Sequence, residues 1–113
     1  MTMTAAKFIG KEVRVVVDRP LGSRHPVHDF LYLLNYGYLE DVPAADGENQ
    51  DAYILGVFEP VDEFVGVCIA VLHREDDVED KLIVAPHNRS YSDEQILALT
   101  EFVESSFKAK VFR

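Results

Sequence analysis

The stretch that says most about the fold runs from residue 35 to residue 55 and reads NYGYLEDVPAADGENQDAYIL. Its start overlaps a segment rich in β-forming residues, which predicts a short strand over Phe30–Tyr38 and a turn at Gly37. Its middle is acidic and contains Asp46-Gly47, a dipeptide typical of turns. A second strand is predicted over Ala52–Phe58, so the stretch indicates two short strands joined by an acidic loop.

More strands are predicted on both sides of this stretch. Glu12–Asp18 is rich in β-branched residues and should end at Pro20, because proline cannot donate to a sheet ladder. Phe64–His73 and Lys81–Ala85 have the same apolar, β-branched character. The loops between the strands are too short to carry crossover helices, which favours a mainly antiparallel sheet.

One helix is well signalled, near the end of the chain. Ser92 and Gln95 have the spacing of a capping box, and the helix is predicted from about Asp93 to Lys108. Four apolar residues then recur at helical spacing and should pack on the sheet: Ile96, Leu99, Val103 and Phe107. The expected fold is therefore mainly β, a small antiparallel OB-like barrel with one C-terminal helix, in a single domain covering residues 1–113.

Composition excludes several classes of function. The 20 acidic and 11 basic residues give a formal charge of −9, which argues against a nucleic-acid partner because phosphate backbones are bound by clustered Lys and Arg. No apolar run has the roughly 20 residues needed to cross a bilayer, so no membrane partner is expected. The N-terminal residues show no signal-peptide pattern and Cys68 has no partner for a disulfide, so we expect a cytoplasmic location. The sequence leaves open whether the chain forms a homo-oligomer.

The acidic residues fall into two groups, one around Asp46 and Asp51 and a denser one over Glu75–Asp80. Carboxylates packed this closely repel one another unless solvent or a cation offsets their charge. Mg²⁺ prefers carboxylate and water oxygens, and acids on a turn and at the start of the next strand can converge on such an ion. The four histidines, by contrast, match no closed zinc pattern.

The order of these motifs resembles that of the soluble inorganic pyrophosphatases. That family has an Asn-Tyr-Gly-Tyr element, matched here by Asn35 to Tyr38, followed at a similar interval by an Asp-Gly-Asp-Pro-Leu-Asp motif that leads into a strand. Asp46 and Asp51 match the outer aspartates of the motif, and Glu48 stands at the middle one. The loop from Asp76 to Lys81 is similar to the family's second acidic loop but about two residues shorter.

The resemblance implies hydrolysis of a phosphoanhydride, most simply inorganic pyrophosphate to two phosphates, with Mg²⁺ or alternatively Mn²⁺ as the cofactor. It implies that Glu48 and Asp46 are catalytic, with Glu48 activating the attacking water. The implied metal ligands are Asp46, Asp51, Asp76 and Asp80, with Glu79 as the alternative to Asp80 because of the shorter loop. The implied phosphate-binding residues are Tyr36, Lys81, Lys108 and Arg24, and Asp18 would lie at the edge of the site.

The chain departs from the family in ways that keep other functions open. The segment between Asp18 and Asn35 is shorter than usual, so the hairpin that supplies a lysine and an arginine in the family is missing or reduced, and Arg24 is expected to replace one of these cations. Phe107 lacks the hydroxyl of the family's phosphate-binding Tyr-Lys pair. One alternative is a non-catalytic module that binds a phosphorylated ligand or a protein, and another is a hydrolase of a larger phosphate ester. Close packing of the acids would favour an enzyme, whereas acids exposed to solvent would favour the module.

Overall fold

The computed structural model describes residues 3–44, 46–76 and 79–113, without the side chains of residues 3 and 4. The described strands are β1 (Glu12–Arg19), β2 (Asn35–Pro43), β3 (Asn49–Ile54), β4 (Glu63–Arg74), β5 (Asp80–Ala85) and β6 (Ala109–Phe112). The described helices are α1 (Met3–Ala6) and α2 (Asp93–Glu104). Neither of these helices has the length and hydrophobicity to cross a membrane.

The strands form one sheet in the order β1-β2-β3-β5-β4-β6, and a further pairing of β1 with β4 closes five of them into a barrel. β6 extends the sheet outside the barrel by pairing with β4. The prediction of a mainly β barrel with a C-terminal helix is confirmed. The pairing of β3 with β5 is parallel, while the other pairs are antiparallel. The long strand β4 connects β3 to β5 and takes the place of a crossover helix.

Because successive side chains of a strand point to opposite faces, the barrel has two apolar layers. The inner layer fills the barrel and includes Val13, Val15, Ala52, Ile54, Leu82 and Val84. The outer layer lies between the sheet and α2. It includes Leu34, Tyr53, Leu55, Leu72 and Ile83 on the sheet side and Ile96 on α2. Leu99 and Val103 pack against the outer layer together with Ile96, as the helical spacing predicted.

The boundaries of three elements differ from the prediction. The Ser92–Gln95 capping box forms, but α2 ends at Glu104 and the chain then pairs with the edge of β4 as β6. β2 runs over Asn35–Pro43 instead of Phe30–Tyr38, so Gly37 lies within it, opposite Val17 of β1, instead of forming a turn. β3 runs over Asn49–Ile54 instead of Ala52–Phe58, and its first residues pair with the end of β2. In each case pairing with another strand outweighs the local pattern.

The missing side chain of Gly37 lets β1 and β2 approach closely. A Cβ atom built at Gly37 would lie 1.9 Å from the carbonyl oxygen of Val16, a backbone atom that cannot rotate away. We expect Gly37→Ala to lower the free energy of unfolding by about 2–3 kcal/mol, as overpacking does. Urea denaturation followed by circular dichroism would measure this.

The matched control is Gly47→Ala, where a Cβ atom meets open space and only the φ of +86° is unfavourable. That change should cost about 1 kcal/mol. Equal losses in the two variants would show that close strand approach is not what requires glycine at position 37.

Candidate active site

A buried lysine lies at the centre of the candidate site. The Nζ atom of Lys81 donates to Asp51 Oδ2 at 2.7 Å and to the Tyr36 hydroxyl at 2.9 Å, and it forms an ion pair with Glu79 Oε2 at 2.8 Å. Only 3% of Lys81 is exposed, whereas about a third of the Asp51 and Glu79 side chains is. We call these four residues the Lys81 cluster. It gathers one cation and two carboxylates at a partly open edge of the barrel.

Strand pairing brings these residues together. Asp51 of β3 shares the outer face with Tyr53, and Lys81 of β5 shares it with Ile83. The parallel register that sets Ala52 against Leu82 makes Asp51 and Lys81 neighbours across the two strands. The cluster therefore depends on a strand pair whose members are about 30 residues apart in sequence.

The hydroxyl of Tyr36 stays protonated in this environment. Burial raises its pKa well above the usual range, and the charge of the nearby Asp51 carboxylate raises the pKa further. Tyr36 can therefore donate its proton to an anionic acceptor while it accepts from Lys81. The ring also packs against the outer apolar layer, so Tyr36 has both a packing and a polar role.

A second, deeper ion-pair network supports the cluster. Arg74 donates to both carboxylate oxygens of Glu104, at 2.8 and 2.7 Å, and to Glu79 at 2.9 Å. Tyr53 donates to Glu104 at 2.7 Å, and the Arg74 guanidinium lies 3.8 Å from the centre of the Phe107 ring. Glu79 is thus held between two cations, which limits the positions its carboxylate can take. No local pattern in the sequence marks Arg74 or Glu104, because their pairing joins β4 to α2, which are distant in the chain.

Asp18 and Arg19 form the rim next to Asp51. Loss of solvent raises the pKa of Asp18, with a smaller contribution from the Asp51 charge, while the adjacent Arg19 acts in the opposite direction. Asp18 therefore lies near Asp51 of the cluster, and its role at the edge of the site stays a prediction. Arg19 also lies near the Tyr32 hydroxyl, where burial raises the pKa of Tyr32 and the Arg19 charge acts in the opposite direction. Arg19 is a candidate phosphate-binding cation that the sequence analysis missed, although it directly follows Asp18.

The four acids implied as metal ligands are not gathered in one place. Asp46 is exposed in the β2–β3 loop, where its carboxylate accepts the Glu48 backbone N–H at 3.0 Å. Asp76 is also exposed and accepts the Lys108 backbone N–H at 3.3 Å. Within the described residues no three His, Cys, Asp or Glu side chains form a group that could hold a metal ion.

The structure separates the two alternatives for the fourth ligand. Asp80 faces the side of β5 that carries Leu82, and its Oδ1 lies 2.6 Å from His73 Nδ1. Glu79 bonds Lys81 and is therefore beside Asp51. Of the two, only Glu79 shares a cation with Asp51.

Of the four implied phosphate-binding residues, two lie in the Lys81 cluster and two lie outside it. Tyr36 and Lys81 lie in the cluster. Arg24 is exposed and pairs with Asp29 at 2.6 Å in the loop before β2. Lys108 is exposed just before β6, and among the described contacts only its backbone is bound, to Asp76 and Glu75.

The carboxylates of the cluster fit a single small cation. Asp51 and Glu79 already converge on one positive charge, the ammonium group of Lys81. Mg²⁺ in proteins is commonly bound through one or two carboxylates together with water and substrate phosphate. Asp51 and Glu79 are therefore the two carboxylates of the cluster that could hold such an ion with a phosphate, whereas the described residues do not assemble the four-acid set.

Comparison with known proteins supplies the fold family. No protein-family model matches the sequence, and no curated protein matches it. Solved structures do: inorganic pyrophosphatase from Ehrlichia chaffeensis aligns with a TM-score of 0.71 at 16% identity, over 93% of this chain and 86% of that one. The chain has the fold of the soluble inorganic pyrophosphatases.

Two further structures agree with this assignment of fold. Inorganic pyrophosphatase from Helicobacter pylori aligns with a TM-score of 0.61 at 16% identity, over 88% of this chain and 81% of that one. The enzyme from Thermus thermophilus gives 0.60 at 15% identity, over 90% and 80%. At these identities the likeness is one of fold, so the chemistry of this pyrophosphatase-like barrel must be argued from its own residues.

Proposed function

We propose that this chain hydrolyses phosphoanhydrides, most simply inorganic pyrophosphate to two phosphates, with Mg²⁺ or Mn²⁺ as cofactor. The observation that carries the proposal is the Lys81 cluster, which combines two carboxylates, a cation and a protonated tyrosine on a pyrophosphatase-like barrel. Phosphoryl transfer needs mainly positioning and charge stabilisation, and these four groups provide both.

Lys81 and Tyr36 would bind the phosphate oxygens. The ammonium group of Lys81 makes two hydrogen bonds, to Asp51 and Tyr36, and an ion pair with Glu79. A phosphate oxygen would replace the weakest of these contacts, the one to the neutral Tyr36 hydroxyl. Once displaced, Tyr36 can donate its own proton to the phosphate. Arg19, at the rim, would add a second positive charge.

Asp51 and Glu79 would hold Mg²⁺ together with the substrate. When bound, Mg²⁺ supplies Lewis acidity, which stabilises charge on phosphoryl oxygens and favours deprotonation of water. Lys81 already offsets the repulsion between the two carboxylates, so they stay close together without the metal. Arg74 donates to the same Glu79 oxygen that pairs with Lys81, which restrains Glu79 further.

The resemblance assigns activation of the attacking water to Glu48, with Asp46, and we keep this assignment in the proposal. Both residues are exposed in the β2–β3 loop, and no hydrogen bond among the described residues joins their side chains to the Lys81 cluster. This separation favours a second candidate, a non-catalytic module that binds a phosphorylated ligand. Glu48→Gln distinguishes the two, because an enzyme that uses this base should lose most of its turnover.

A phosphate-release assay on pyrophosphate with Mg²⁺ or Mn²⁺ tests the proposal. We expect metal-dependent release that falls by at least about tenfold in Asp51→Asn, because the amide cannot replace a charged ligand. Asp93→Asn is the matched control, since Asp93 forms an exposed ion pair with Arg113 away from the cluster.

Calorimetry with pyrophosphate separates the two candidates. Binding without phosphate release would leave the module as the function. Equal release by wild type and Asp51→Asn would contradict a role for the cluster.

A further inference from the structure

An open pocket of about 510 Å³ lies between the loop that precedes β2 and the C-terminal end of α2. Sites for small molecules commonly have roughly 300–1,000 Å³. No Asp or Glu is among the described residues that line the pocket, although the chain has 20 of them. Its wall instead has rings and a guanidinium group, from His25, His28, Phe30, Arg74, Phe102 and Phe107.

The rings of this wall are close enough to form one surface. The centroid of His25 lies 4.9 Å from that of Phe30, and Phe30 lies 6.1 Å from Phe102. Arg74 adds a guanidinium plane above the ring of Phe107. Aromatic and guanidinium planes of this kind stack on nucleic-acid bases. The pocket therefore suits a planar heteroaromatic ring.

His25 adds a polar group with a defined hydrogen-bonding role. Its Nδ1 atom accepts the backbone N–H groups of Val27 and His28, both at 3.0 Å. The proton of the neutral ring must therefore be on Nε2, which makes Nε2 a donor. Partial loss of solvent and the neighbouring His28 lower the pKa of His25, which favours this neutral form.

The pocket wall adjoins the Lys81 cluster at two places. Arg74 lines the pocket and donates to Glu79 of the cluster at 2.9 Å. The ring of Tyr32 lies 5.9 Å from Phe102 of the pocket and 5.7 Å from Tyr36 of the cluster. The pocket and the cluster are therefore neighbouring sites, which places a ring held in the pocket near the phosphate-binding groups of the cluster.

We propose that the chain binds nucleoside polyphosphates, with the base in the ring-lined pocket and the phosphates at the Lys81 cluster. This inference rests on the proposed function, because it uses the same phosphate-binding groups. Pyrophosphate itself has no ring and leaves the pocket unused. Tripolyphosphate matches the phosphate chain of ATP without the base and the ribose, so the difference between ATP and tripolyphosphate measures what the nucleoside adds, and a variant of the pocket shows how much of it comes from the pocket.

The test measures dissociation constants of ATP, tripolyphosphate and pyrophosphate by calorimetry with Mg²⁺ present. We expect ATP to bind at least about tenfold more tightly than tripolyphosphate, through base stacking. Phe30→Leu keeps an apolar side chain but removes a ring face, and it should reduce that preference at least about threefold without changing the affinity for tripolyphosphate. Phe58→Leu, at an exposed phenylalanine outside the pocket, should leave the preference unchanged.

The outcomes separate this inference from the proposed function. Equal affinities for ATP and tripolyphosphate in the wild type would overturn the inference, whether or not Phe30→Leu folds. A preference for ATP that Phe30→Leu leaves intact, in a variant with a normal melting curve, would also overturn it. Absence of pyrophosphate binding and hydrolysis would instead overturn the proposed function.

Discussion

Replacing Lys81 by methionine is expected to lower phosphate release from pyrophosphate by at least about a hundredfold, the loss typical of removing a group that stabilises developing charge. Methionine keeps a long apolar side chain but removes the cation that Asp51 and Glu79 share. The two carboxylates would then repel each other and the anionic substrate. Release is measured at saturating and at low pyrophosphate, so that turnover and binding are separated.

Two further variants test whether the loss of phosphate release comes from the missing charge at position 81. Lys110→Met removes an exposed lysine that pairs with Glu75, and it should keep wild-type release. Lys81→Arg keeps the charge but changes its shape, and intermediate release is expected because the two cations present different donor geometries. If folded Lys81→Met released phosphate at the wild-type rate, the cluster could not be the catalytic site.

The largest loss of stability is expected from Glu104→Gln, at about 3–5 kcal/mol, the range for breaking a buried ion pair by neutralising one partner. Only 3% of the Glu104 side chain and 8% of the Arg74 side chain are exposed. The change would leave Arg74 buried without the Glu104 carboxylate, although Glu79 still pairs with it. Because Arg74 keeps that partner, the loss should fall near the lower end of the range. Urea denaturation monitored by circular dichroism measures it.

An exposed ion pair provides the comparison. Arg14 and Glu63 pair across β1 and β4 with about half of each side chain exposed, so Glu63→Gln should hardly move the unfolding midpoint. The double variant Arg74→Met, Glu104→Leu should recover part of the stability lost in Glu104→Gln, because it leaves no buried charge unpaired. A loss no larger in Glu104→Gln than in Glu63→Gln would contradict a stabilising role for the Arg74–Glu104 pair.

Local patterns in the sequence were enough to predict most of the architecture. The β-branched run from residue 13 to residue 17 predicted β1, and Ser92 with Gln95 predicted the start of α2. Such signals act between residues a few positions apart, so they do not depend on the rest of the fold. The motif order also led to Tyr36, Asp51 and Lys81, which the structure brings together.

The end of α2 and the strand β6 could not be predicted in this way. Ala109–Phe112 is only four residues long and has no strand signal of its own. It becomes a strand because the outer edge of β4 offers unpaired backbone groups for it to bond. The Arg74–Glu104 pair likewise appears only when α2 is packed across the barrel.

At the candidate site, the choice between Glu79 and Asp80 could not be predicted from local patterns either. Side chains alternate along a strand, so a register shift of one residue would exchange the faces of Asp80 and Lys81. The register is decided by the pairing of β5 with β4, which sets Asp80 opposite His73, and with β3, which sets Leu82 opposite Ala52. The sequence by itself therefore determined which acids and cations are available and the strands that carry them. Only the tertiary structure decided which of them share a face, because the face depends on pairing between strands distant in the chain.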